Sequence, residues 1–230
     1  GATVTMLHAT LAANGMETAD GVHIRLMVTR GVKSTPYQDP RFTITPATIV
    51  IIPEYKTARA ETLIQGVRLY TVSTRRGRPD VQDPKWNSHS KLNCISACIQ
   101  AAQAGADEGL MLDPQGFVAT CNSTHFFIVR HPDGPAGPPE VWTSTGDYCM
   151  PGITRRNVLR LCDNDGITAR EKNFSLTECY GATEAFVTGT FAGIAPVTEI
   201  DGRTIGTGKR GPMVAALQQR YIELLDEECG

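Results

Sequence analysis

The stretch Asn87-Ser88-His89-Ser90-Lys91-Leu92-Asn93-Cys94 stands at the mouth of the most helix-like segment in the middle of the chain. After Leu92, apolar residues recur at Ile95, Ile99 and Ala102, the spacing of an amphipathic helix. Gly105 ends that helix as a C′ glycine. A lysine at such an entrance, among Ser88, His89 and Ser90, reads by itself as a solvated surface charge, because lysine is mostly exposed. The rest of the chain decides whether that reading stands.

Toward the N-terminus, Val4 to Leu11 reads as a helix already under way, ended by Asn14-Gly15, so the chain is expected to lack an N-terminal portion. His23 to Thr29 alternates as a strand. Thr48 to Ile52 is a short, continuously apolar strand, expected to be buried on both faces. The polar run Pro53 to Glu61 is the candidate interdomain linker. Gly66 to Val72 is another strand and leads into the basic turn Arg75-Arg76-Gly77-Arg78-Pro79.

Toward the C-terminus, Glu108–Leu112 and Phe117–Thr120 flank a Pro114-Gln115-Gly116 turn as a hairpin. Strands follow at Phe126–Arg130 and Val141–Thr143, separated by a Pro/Gly loop from Pro132 to Pro139. A helix is expected from Thr154 to Cys162, broken at Gly166. Ser175-Leu176-Thr177-Glu178 is a capping box opening a short helix. Glu184–Thr188 is a strand, Val197–Ile200 enters a hairpin at Asp201-Gly202, and the last helix, from Pro212, aligns Val214, Leu217, Tyr221 and Leu224. Helices mixed with hairpins, without regular β-α-β spacing, predict an α+β fold with a mixed sheet.

Composition narrows the function. The 230 residues are 41% hydrophobic and 20% charged, as in an ordinary globular protein of one or two domains. A net charge of -2 argues against non-specific nucleic-acid or membrane binding. No apolar run approaches the ~18 residues of a membrane span, and the start has no signal-peptide pattern. The seven cysteines are scattered, which reads as reduced thiols in the cytosol. Cys94 and Cys98 lie one helical turn apart near His89, but small core thiols are the simpler reading than a metal site.

Two segments have the chemistry of a phosphate cradle. In Pro151-Gly152-Ile153-Thr154-Arg155-Arg156, a glycine lets the backbone turn closely and a helix begins at once. Free N–H groups, the positive end of the helix dipole and the Thr154 hydroxyl then face one point. Gly189-Thr190, after a buried strand, offers a second glycine and hydroxyl. Each alone is an ordinary cap or turn. Together with a lysine at a helix entrance they suggest a phosphorylated aldehyde cofactor, held at one end and condensed at the other.

Ile24-Arg25-Leu26-Met27-Val28-Thr29-Arg30-Gly31, Gly105-Ala106-Asp107-Glu108-Gly109, Pro151-Gly152-Ile153-Thr154-Arg155, Thr188-Gly189-Thr190 and the run Pro196 to Gly206 carry a family resemblance. They resemble class IV (fold type IV) pyridoxal-phosphate enzymes, the group of branched-chain aminotransferases, D-amino acid aminotransferases and aminodeoxychorismate lyase. The resemblance implies a small N-terminal α/β domain, of which 1–57 is the remainder, and a larger pseudo-barrel domain, 58–230. It puts pyridoxal 5'-phosphate in the cleft between them and the family's first strands, with a phosphate-binding arginine, before residue 1. Relatives of this kind commonly pair as homodimers.

The resemblance also assigns roles. Gly152, Ile153, Thr154, Gly189 and Thr190 would hold the phosphate, Arg30 a substrate carboxylate, and Phe191 the place of a small residue beside the substrate. Counting back from Gly105 by the family's spacing puts Asn87 where the Schiff-base lysine belongs. Lys91 falls where branched-chain members place a tyrosine near the reactive carbon, within reach of a long amine. Lys91 is therefore the expected catalytic lysine, with Lys85 the weaker substitute. Thr120 stands where the family has a glutamate that keeps the pyridine nitrogen protonated, and His125 where it has an asparagine. Arg30 by itself also reads as a strand-end surface charge.

Two readings follow. One is a working transaminase passing an amino group between an amino acid or amine and a 2-oxo acid through a Lys91 Schiff base, with a lyase on the same scaffold as its variant. The other is a relative that keeps the phosphate loops but serves as a binding or structural protein.

Overall fold

A computed structural model describes residues 1–134 and 136–229 of the chain; Pro135, in the predicted Pro/Gly loop, lies outside the described residues. Contacts divide the chain into two units, Gly1–Thr57 and Ala58–Gly230.

In the first unit, helix α1 (Ala2–Ala13) ends at Asn14. Strand β1 (Val22–Val28) pairs antiparallel with β2 (Ile49–Tyr55), setting Leu26 opposite Ile51. This corrects two expectations. The apolar run at 48–52 is not buried on both faces, since Val50 and Ile52 are exposed. It belongs to a two-stranded sheet, which has no second layer over each side. Pro53 to Tyr55 is also strand rather than linker, paired with Val22 to Ile24. Proline fits there because an edge position needs no donated hydrogen bond.

The second unit is built on one mixed sheet. Its strands are β3 (Val67–Thr71), β4 (Glu108–Leu112), β5 (Val118–Cys121), β6 (His125–Arg130), β7 (Glu140–Thr143), β8 (Thr168–Glu171), β9 (Glu184–Gly189), β10 (Gly193–Ile200) and β11 (Arg203–Thr204). They lie in the order β5-β4-β3-β10-β9-β6-β7-β8, with β11 on β10. Pairings β3–β4, β3–β10 and β7–β8 are parallel and the others antiparallel, as a mixed sheet requires. The edge strand β5 turns directly into β6 and lies against it, so the sheet curls toward a half-barrel. Strand β8 had no sequence signal, because Thr-Ala-Arg-Glu is short and mostly polar.

Alternation along β6 explains the two core layers. Phe126 and Ile128 point into the curl with Leu110, Val118, Trp142, Phe174 and Val187. Phe127 and Val129 point outward onto helices α5 (Ile153–Asn164) and α7 (Pro212–Cys229). Helix α7 presents Val214, Leu217, Tyr221 and Leu224 to this layer, the face its spacing predicted. Phe127 stacks on its cross-strand partner Phe186, ring centroids 4.8 Å apart, a pair that contributes about 0.5–1.5 kcal/mol beyond its buried area. The capping box at Ser175 and Glu178 is present and opens α6 (Leu176–Tyr180).

Helix α4 (Leu92–Gln103) forms where the spacing predicted it and stops before Gly105, whose φ of +74° favours glycine. Its orientation differs from the amphipathic reading. Ala97 and Ala101 face inward, while Leu92, Ile95 and Ile99 are exposed. A Cβ on Gly109 would lie 2.9 Å from the Ala97 carbonyl, so helix and strand approach closely through small residues. Helices α2 (Ala60–Gln65) and α3 (Pro79–Gln82) complete the unit.

Candidate active site

Strand parity assigns the functional side chains to the sheet. His125 lies two residues from Phe127 and therefore on the helix-covered face. Its cross-strand partner is Thr188. The two continue the row of Phe127 and Phe186 to the N-terminal end of α5. There the His125 ring sits over Gly152, and a side chain at 152 would collide with it. The sequence places glycine at 152 for this contact, since its φ of -64° is open to any residue.

Helix α5 begins without a side-chain cap. Arg156 is the first of its N–H groups to reach a backbone acceptor, Gly152 O at 3.0 Å. Those of Ile153, Thr154 and Arg155 have no acceptor among the described residues. Such an end favours an anion. Buried Thr154 shares a 3.3 Å hydrogen bond with Tyr221 OH, and the Tyr221 ring packs on Gly193. Gly193 pairs with Gly189 across the turn that holds Thr190. The two glycine loops are therefore neighbours. Thr188 Oγ1 and His125 Nδ1 are buried beside them without a hydrogen-bond partner. Burying unpaired polar atoms is costly, and such a pair marks a place where a polar ligand group is missing from the protein's own contacts.

The His125 ring also lines a cavity of about 390 Å³ whose walls include Arg76, Trp86, Lys91, Cys94, Thr120 and Met150. Lys91 is the residue before α4, and its Nζ donates to Asn87 Oδ1 at 3.0 Å. Thr120 pairs with Met111, which packs on Ala97, so its side chain emerges on the α4 side of the sheet. Its hydroxyl donates to Thr124 O at 2.8 Å. Burial, then the guanidinium groups of Arg155 and Arg76, push the His125 imidazole down to about 4, so it is neutral near pH 7.

The structure thus brings Lys91, Thr120 and His125 to one cavity, and Gly152, Thr154, Gly189 and Thr190 to the adjoining helix end. Gly152, Ile153, Thr154 and the Gly189–Phe191 turn do not themselves line the cavity. Lys85 is exposed, does not line it, and its own N–H donates to Asp83. Asn87 lies outside the lining and reaches it only through the Lys91 amine. Arg30 follows β1 in the first unit, on its surface, and Phe191 is exposed at the β9–β10 turn. Cys98 is exposed and Cys94 half-buried, which corrects their reading as core thiols. The alanine face of α4 leaves Cys98 outside, while Cys94, three positions before Ala97, lines the cavity beside Arg76.

Two residues of the site carry little signal in the sequence. Glu108 is buried, and its carboxylate accepts from the N–H and hydroxyl of both Ser123 and Thr124, at 2.7 to 2.9 Å. It fixes the loop between Thr120 and His125. Arg76 stands in the sequence as one member of a basic turn. The one signal for it was a run of arginines with no acidic neighbour until Asp80.

A curled mixed sheet with an anion-binding helix end beside a lysine-bearing cavity is the arrangement expected of class IV transaminases. The chain matches the amino-transferase class IV family over residues 3–200 and belongs to it. It is 39% identical over 217 residues to branched-chain-amino-acid aminotransferase-like protein 2 of Arabidopsis thaliana, covering 94% of this chain and 37% of that protein. It is 39% identical over 166 residues to a branched-chain-amino-acid aminotransferase of Pseudomonas aeruginosa, covering 72% of this chain and 52% of that one. The chain thus spans about half the length of these curated relatives, or less. A crystal structure of the T.th. branched-chain amino acid aminotransferase with pyridoxamine 5'-phosphate superposes with a TM-score of 0.83 at 30% identity, over 94% of this chain and 68% of that one. The Escherichia coli branched-chain enzyme gives 0.82 at 26%, over 95% and 69%.

Proposed function

We propose that the protein is a pyridoxal 5'-phosphate-dependent transaminase, moving an amino group between an amino acid or amine and a 2-oxo acid, with Lys91 as its catalytic lysine. The observation that carries this reading is the pairing of an exposed lysine on the wall of a cavity with a helix end suited to an anion at its margin. The unpartnered N–H groups at α5 and the orphaned Thr188 hydroxyl suit a phosphate. In this reading Gly152, Ile153, Thr154, Gly189 and Thr190 hold that phosphate, and Thr120 faces the ring nitrogen. Arg30 and Phe191 serve the substrate. The first unit belongs to the small domain, and 58–230 is the cofactor domain of a cytoplasmic homodimer.

When bound, the cofactor supplies an electrophilic aldehyde and a conjugated ring that spreads the charge of a carbanion. The chain's own residues supply the rest. The N–H groups of Ile153, Thr154 and Arg155 neutralise the phosphate with the helix dipole. Asn87 Oδ1 orients the Lys91 amine. Lys91 Nζ would take and hold the proton removed from the substrate Cα, as a positioned general base does. His125, held neutral, packs on Gly152 and keeps the cradle in register with the cavity.

Thr120 favours the competing reading of a relative that binds without turnover, because its hydroxyl is committed to Thr124 O and no carboxylate stands in its place. Incubation with pyridoxal phosphate, a 15N-labelled amino acid and unlabelled 2-oxo acids separates the two. The transaminase reading predicts 15N in the new amino acid, abolished by K91A. Tight cofactor binding with no transfer from any donor would sink it.

A further inference from the structure

Among the described residues, two arginines of the second unit are more than nine-tenths buried, Arg76 and Arg155, each 8% exposed. They are treated differently by the fold. Arg155 has an ion partner, Glu171 at 2.5 Å, and a second acceptor in Ser144 O. Arg76 pairs with no carboxylate among the described residues. Its Nε donates to Tyr148 O at 2.9 Å and its Nη1 to Cys94 Sγ at 3.1 Å. A thiol sulfur is a weak acceptor, and Nη2 has no acceptor among the described residues. A mostly buried charge without an opposite charge is costly, so the fold leaves this guanidinium with an edge open to an anion.

The surroundings do not supply the missing charge. Arg76 lines the 390 Å³ cavity, whose other ionised walls are Arg75 and Lys91 against the single carboxylate Asp83. Asp83 already accepts from the Lys85 N–H. The positive field reaches His125, which Arg76 helps keep unprotonated. Cys94, the residue Arg76 touches, lines the same cavity as Lys91. Arg76 and Lys91 thus flank one stretch of cavity wall.

We propose that Arg76 is the oxyanion receptor of this cavity, taking a carboxylate of a reactant or a phosphate on the free edge of its guanidinium. A planar fork of donors suits either group. With a carboxylate there, an amino acid would present its amine-bearing carbon toward Lys91. The inference deepens the transaminase reading, which supplies the ligand, yet its test needs neither cofactor nor a reactive amine. The Lys91 assignment can therefore fail while the receptor stands.

Calorimetric titration of the whole chain with succinate and, separately, inorganic phosphate provides the test. Arg76→Gln is expected to weaken binding of at least one probe by about tenfold or more, with Arg76→Lys in between. Loss confined to succinate assigns the site to a reactant carboxylate, and loss confined to phosphate assigns it to a phosphate. Should R76Q not fold, protection of Arg76 from phenylglyoxal by the same probes, mapped by mass spectrometry, reads the contact in the unaltered chain. R76Q binding both probes as tightly as the unaltered chain, binding of neither probe by that chain, or no protection would each overturn the proposal.

Discussion

His125 concentrates the chemistry of the site in one side chain, because it pairs with Thr188, covers Gly152 and lines the cavity at once. Burial and two guanidinium groups hold it down to about 4, whereas an unfolded histidine titrates near 6.5. Above the unfolded value both states are neutral and the group imposes no penalty. Between about 6.5 and 4 only the unfolded chain takes up the proton, so stability falls with decreasing pH, by about 1.4 kcal/mol per pH unit. His125→Asn should remove that slope. Urea unfolding of both proteins from pH 7.5 to 5 checks it, since equal slopes would mean that His125 is not buried neutral. The sequence marked residue 125 as a departure from the family, but not its titration, because parity and the ring's fit on Gly152 depend on the pairing of β6 with β9. Gly152 and Thr154 were legible because a glycine followed at once by a helix is a local pattern. Arg76 was not, since its lack of a counter-ion is a property of side chains brought together from residues 94 and 148.

Elements position these residues through two devices, one legible and one hidden. The legible device is the end of α5, announced by Pro151-Gly152-Ile153-Thr154. The hidden one is the loop between β5 and β6, tied from beneath by the Glu108 carboxylate through four hydrogen bonds. Glu108→Ala leaves two N–H groups and two hydroxyls without that acceptor and is expected to cost about 2–4 kcal/mol. Chemical unfolding reads the loss, and cofactor affinity should fall with it; a change under about 0.5 kcal/mol would show the loop to hold itself. Helix α4 shows where periodicity misleads. Its apolar spacing was real, yet the alanine face packs inward because Gly109 admits close approach, leaving Ile95 and Ile99 outside. Periodicity finds the helix; the size of the facing residues decides which side is buried.

At the scale of the molecule, the chain's mixed sheet and its order of strands and helices were largely readable from turn signals and alternation, and the short polar strand β8 was not. Between β2, which ends at Tyr55, and α2, which begins at Ala60, lie Lys56 and Arg59. The boundary of the two units falls there, at Thr57 and Ala58. Limited trypsin digestion should cut first after one of these two, as loops with few crossing contacts do. A first cut in the Arg75–Arg78 turn would mean that this turn, not the unit boundary, is the weakest point. In the proposed reading Lys91, held by Asn87, carries the cofactor, although the family's lysine position is occupied by asparagine. The most direct test is to add pyridoxal phosphate to the purified protein, reduce with borohydride and map the peptides by mass spectrometry. A pyridoxyl mass on Lys91, lost in K91A, is expected; a label on Lys85 alone, or a recovered Lys91 peptide without label, would rule Lys91 out.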